Sequence, residues 1–206
     1  MKLSTSTFSI FKRDSILYIV NFCTSILISR KLGLTALGIW SILRMIASYA
    51  ESIGRTRIEI AAVYFIGRGK FTKEDILASI NFVLLISLII FTLFSFYNFN
   101  TIYNILFSHV QEDYKKEMLL VLISIPLFFF YISYAYFFIA LEDINKYNRL
   151  VTIYTLVLSS ISLFLLVFTS LGLEGLAYAY IIAPLLASIN ALFLFPKGYL
   201  LKGKVK

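Results

Sequence analysis

The run Ile76–Tyr97, ILASINFVLLISLIIFTLFSFY, holds 22 residues and no ionisable side chain. At 1.5 Å per residue such a helix is about 33 Å long, which matches the ~30 Å hydrocarbon core of a bilayer. A chain containing it is built around membrane crossings. The rest of the sequence agrees: 60% of residues are hydrophobic, 17% aromatic and only 15% charged, with a mean hydropathy of +0.87. A soluble domain of this size is not so apolar.

The expected fold class is all-α, a polytopic membrane protein with six transmembrane helices in one bundle, forming a single lobe over residues 1–206. The spans fall at about 15–32, 39–65, 76–97, 118–141, 150–173 and 175–195. Span one is short unless Arg30 and Lys31 snorkel to an interface, and the basic segment ahead of it resembles a signal anchor, with no cleavage pattern following. Its polar residues are Asn21, Thr24 and Ser25; Asn21 either faces the bundle interior or bonds a neighbouring helix. Gly33 and Gly38 bracket a tight turn into span two, which has a break at Gly54. Asn98–Glu117 reads as a loop lying partly in the interface, and Pro126 kinks span four. Span six carries Gly175, Ala179, Ala183, Ala187 and Ala191 at every fourth position, a spacing that lets another helix approach closely within the bundle or across a dimer.

Lysine and arginine set the orientation. One side receives 12 (Lys2, Lys12, Arg13, Arg68, Lys70, Lys73, Lys146, Arg149, Lys197, Lys202, Lys204, Lys206) and the other receives Arg30, Lys31, Lys115 and Lys116. Both termini are therefore expected on the cytoplasmic side. The net charge of +8 does not indicate a nucleic-acid partner, because the basic residues sit between apolar runs and at the ends. The partner they imply is the lipid bilayer.

Span two is the exception to this separation of charge from hydrocarbon. Arg44, Glu51, Arg55, Arg57 and Glu59 all lie between Ile39 and Phe65, where each charge costs roughly 2.5–3.5 kcal/mol against lipid. At about 100° per residue, with Arg44 as zero, Glu51 falls near −20°, Arg55 near +20°, Ser48 near +40° and Glu59 near +60°. These residues share one face; Arg57 is on the far side, as a snorkelling arginine. A charged stripe at bilayer depth must face water or other helices. It is either a salt-bridge ladder between helices or an anion site, and a guanidinium suits a diphosphate because its planar donors bond two oxygens at once.

The chemistry of an enzyme is missing from the pattern. There is no phosphate-cradling glycine loop with a lysine, no HExxH and no paired aspartates at fixed spacing, and His109 is the one histidine, in a loop without partners. The single cysteine, Cys23, excludes a disulfide framework and reads as a small apolar filler. No cofactor is expected. The aromatic block Phe128–Phe138 could stack on sugar rings, but helix packing and lipid contact are the favoured reading.

The run Ser29-Arg30-Lys31-Leu32-Gly33 with Gly38, a long second span interrupted at Gly54, and Tyr64-Phe65-Ile66-Gly67 before a basic loop resemble the amino-terminal signature of polysaccharide flippases. These belong to the multidrug/oligosaccharidyl-lipid/polysaccharide (MOP) exporter superfamily. Leu171-Gly172-Leu173-Glu174-Gly175-Leu176-Ala177 is similar to that family's turn between spans five and six. The resemblance implies a carrier in the bacterial inner membrane. Its partner would be undecaprenyl-diphosphate-linked oligosaccharide, moved by alternating access for a surface polysaccharide such as O-antigen. By position, Arg30, Arg44 and Arg55 would meet the diphosphate, with Glu51 as countercharge. Family members have two six-helix lobes and this chain resembles the first, so the resemblance implies a homodimer or a second six-helix lobe as partner. The alternatives are an inactive remnant or membrane scaffold, and a drug/cation antiporter. Antiport needs buried carboxylates, and spans one and three to six have none within them.

Overall fold

The computed structural model describes residues 2–54, 58–110, 113–195 and 203, and the side chains of these except 2–7, 50–51, 53–54 and 58–59. The fold is all-α. The helices are α1 (Lys2–Gly54), α2 (Ile58–Arg68), α3 (Lys73–Tyr97), α4 (Phe99–Phe107), α5 (Lys115–Ala140), α6 (Ile144–Phe168) and α7 (Leu173–Leu194). Five stretches among the described residues are long and apolar enough to cross a membrane: Phe8–Tyr49 within α1, and all of α3, α5, α6 and α7.

The 42 residues of Phe8–Tyr49 would reach about 63 Å as a straight helix, twice the thickness of a hydrocarbon core. They do not run straight. Gly33 has φ 80° and ψ 174°, a conformation open essentially to glycine alone, and the contacts on its two sides show that the chain doubles back. Before Gly33, Arg13 and Ser9 hydrogen-bond Asn148 at the start of α6, while Leu32 lies beside Gly172 at its far end. This arm runs parallel to α6. After Gly33, Trp40 packs edge-on against Tyr180 of α7, ring centroids 5.0 Å apart, so the second arm descends alongside α7. The expected turn bracketed by Gly33 and Gly38 is thus a one-residue break, with Gly38 inside the second arm. The helix itself begins at Lys2, ahead of the expected span start near Ser15.

The core is built on α5 and α7, which pack side by side in the same direction. Ser188 reaches the Leu127 carbonyl at 3.4 Å, and Phe195 stacks on Phe138 at 4.9 Å. Ala179, Ala183, Ala187 and Ala191 are fully buried, so this stripe serves packing inside the bundle and presents no dimer face. Phe129, Phe137 and Phe138 are buried as well, as the packing reading of the aromatic block expects. Pro126 and Pro184 both lie inside helices.

Two expectations change at the edges. The connection 98–117 is not simply a loop: Phe99, Tyr103 and Phe107 recur every fourth residue, and α4 turns this face inward, with Tyr103 and Phe107 buried and stacked at 5.1 Å. The helix closes on Asp113, which accepts from the Tyr103 hydroxyl at 3.0 Å and from the Lys115 N–H at 3.1 Å. Cys23 is exposed, so it fills no internal gap.

Candidate functional site

Arg44 sits 11 residues beyond the reversal at Gly33, about 16 Å along the second arm. Tyr180 lies eight residues beyond Gly172, on the same rim, and Ser124 eight residues beyond Lys116, whose ammonium pairs with Glu174 there. All three are therefore about 12–16 Å from that rim, close to half of a ~30 Å core. Here Arg44, Ala47, Ser48, Ser124, Ile125, Phe128, Tyr154 and Tyr180 line a cavity of about 190 Å³.

Local sequence explains this arrangement. Arg44, Ala47 and Ser48 are one helical turn apart and share a face, while Leu43, Trp40 and Ile39 on the adjoining face are buried and fix the arm's rotation. Ala47 is small enough to leave space beside the guanidinium. Tyr180 is held by Trp40 on one side and lines the cavity beside Arg44 on the other. Tyr154 stacks on Tyr131 at 4.4 Å, which fixes its ring plane. The Ser124 hydroxyl donates to the Val121 carbonyl at 2.6 Å, so its oxygen can accept from the cavity. The result is a guanidinium with a planar fork of donors, surrounded by hydroxyls and backed by Phe128. The guanidinium fork supplies donors that an oxygen-bearing anion can use, whereas the Ser124 oxygen offers only an acceptor.

The remaining sequence-derived site residues distribute differently. Arg30 is exposed near the Gly33 rim and does not line the cavity, because it precedes the reversal and points from the first arm. Asn21 is exposed at about the depth of Arg44, but it too is on the first arm and outside the lining; the expectation of an interior-facing Asn21 is corrected. The Glu51 side chain and all of Arg55 lie outside the described residues, as does Arg57. The stripe is thus represented by Arg44 and Ser48, both exposed toward the open side of the cavity. Among the described side chains no carboxylate pairs with Arg44. No three His, Cys, Asp or Glu side chains cluster among them in the manner of a metal site.

Tyr154 and Tyr180 are contributors that the sequence reading did not single out. Each is one of several polar side chains on its helix, so the sequence gives no signal that singles it out, and only the fold brings them to Arg44 from more than a hundred residues away. Compared with family models, curated proteins and solved structures, the chain matches none.

Proposed function

We propose that this chain is one lobe of a carrier for lipid-diphosphate-linked oligosaccharide, in which Arg44 meets the diphosphate during transfer across the bacterial inner membrane. The reading rests on one observation: a guanidinium some 11 residues beyond the reversal at Gly33, in a hydroxyl-lined cavity, with no described carboxylate against it. A charge is expensive within a span, and a cavity that wets it and offers it to an anion gives that cost a use. In this reading the two arms of α1 are separate crossings, giving six, with both termini cytoplasmic.

Size argues for a second lobe. At about 30 Å³ per water molecule, 190 Å³ holds roughly six waters, room for a phosphate but not for an oligosaccharide. The opening beside Arg44 and Ser48 faces away from the bundle, where a second six-helix lobe completes the passage, in the simplest case another copy of this chain placed in parallel.

Expression in a bacterium lacking its own polysaccharide flippase tests the proposal. The chain should restore surface polysaccharide, and Arg44→Gln should abolish restoration at equal membrane abundance. Arg44→Lys should restore it weakly, since an ammonium lacks the two-pronged donor geometry. Full activity of Arg44→Gln, or no restoration by an abundant parent chain, refutes the reading.

A further inference from the structure

A second cavity lies on the opposite face of α5. It is a groove of about 840 Å³ between α3 and α5, walled by side chains that include Phe91, Ser95, Phe96, Leu122, Ile123 and Pro126, with Lys115 and Lys116 at its mouth. On a helical wheel its α5 residues centre about 180° from Ser124, Ile125 and Phe128, which line the Arg44 cavity. The two spaces are therefore independent.

The groove combines three features. It is apolar along its length, because α3 and α5 touch sparsely and leave their facing side chains apart. It runs from Lys115 to Leu127, 12 residues or about 18 Å, which matches one leaflet's share, about 15 Å, of a ~30 Å core. Its mouth holds two ammonium groups at the rim of the bundle. Lys115 lies over the Tyr103 ring at 5.4 Å and only 4.0 Å from Asp113, whose carboxylate is already engaged by Tyr103 and the Lys115 N–H. Lys116 pairs with Glu174 while its side chain stays 64% exposed. Both ammonium groups thus retain donors for a further acceptor.

We propose that this groove is a lipid site: one membrane glycerophospholipid lays an acyl chain between α3 and α5 and sets its phosphate on Lys115 and Lys116. A chain confined to one leaflet ends where the groove ends, near Leu127 at mid-depth. The lysines reward a phosphate at the height where lipid phosphates lie, each by about fivefold in affinity.

Native mass spectrometry of the full chain in detergent tests this, with phosphatidylglycerol, phosphatidylethanolamine and phosphate-free monogalactosyl diacylglycerol as probes. One phospholipid of either kind should be retained per chain, the galactolipid should not, and excess inorganic phosphate should not displace the phospholipid. Lys115→Gln should lower retention about fivefold, as should Lys116→Gln combined with Glu174→Gln, which leaves no carboxylate unpaired. Lys115→Arg should retain the lipid. Ser95→Phe fills the groove from a position that is 6% exposed and should abolish retention. Ile123→Trp, on a half-exposed wall, does the same if Ser95→Phe fails to fold, as judged by gel filtration. Equal retention of the galactolipid, displacement by inorganic phosphate, or unchanged retention in the lysine and groove-filling variants overturns the proposal.

Discussion

The reversal at Gly33 can be tested apart from any function, because Gly38, five residues on, is a matched control. At Gly33 the backbone has φ 80° and ψ 174°, and no atom lies within 4 Å of where a Cβ would stand. Gly33→Ala therefore meets no clash, and its whole cost is conformational, about 1–3 kcal/mol for this glycine-only region. Gly38 is helical and equally uncrowded, so Gly38→Ala should stabilise by about 0.5–1 kcal/mol. The two substitutions then differ by about 1.5–4 kcal/mol, a melting-temperature difference of at least about 3 °C for a chain this long. The assay is built in: the single tryptophan, Trp40, is 3% exposed and lies against Tyr180 across the reversal. Its emission should shift to longer wavelength at lower temperature in Gly33→Ala and at higher temperature in Gly38→Ala. Equal melting of the two variants would refute the doubled-back α1 and with it the placement of Arg44.

Tyr180→Phe removes a hydroxyl from the cavity beside Arg44 but keeps the ring against Trp40. It should cost about 1 kcal/mol in thermal unfolding and lower polysaccharide restoration less than Arg44→Gln does. Ala187→Leu forces three extra carbons into the fully buried α7 stripe and should destabilise by about 1–3 kcal/mol, read as a drop in melting temperature. Asp113, outside the spanning helices, has its pKa lowered, chiefly by the Lys115 N–H and then by the Tyr103 hydroxyl. A carboxylate depressed on folding stabilises above its unfolded pKa, and that contribution fades as pH falls through the folded value. Hydrogen exchange over 99–110 should therefore rise only below about pH 4, and Asp113→Asn should raise it already at pH 7.

What was legible in the sequence was whatever depends on local hydropathy. Runs such as Ile76–Tyr97 declare crossing helices because a buried backbone has no alternative to bonding itself, and α3 falls where its pattern places it. The misses have physical causes. α4 was hidden because Phe99, Tyr103 and Phe107 lie among polar residues, and a mixed stretch reads as loop until its four-residue spacing is weighed. Gly33 and Gly38 look alike in sequence, and only backbone geometry separates the one that bends the chain from the one that does not. Asn21 and Arg30 belong to span one and Arg44 to span two already in the sequence; only the packing of the arms shows that Asn21 and Arg30 do not line the Arg44 cavity.

Helix geometry also bears on the choice between a salt-bridge ladder and an anion site. Glu51 follows Arg44 by seven residues, about 10.5 Å along the axis, whereas side chains on one helix meet at spacings of three or four. In sequence spacing Arg44 is about two helical turns from Glu51 and about three from Arg55. A ladder made at spacings of three or four along one helix would therefore leave Arg44 outside it. Among the described residues, the groups from α5, α6 and α7 that line the cavity with Arg44 are, where polar, neutral hydroxyls. They solvate a cation without cancelling it. Among the described side chains none cancels the Arg44 charge, and stability alone gives such a charge little use, since an apolar side chain would cost less within a span. The proposed anion site would give that charge a use.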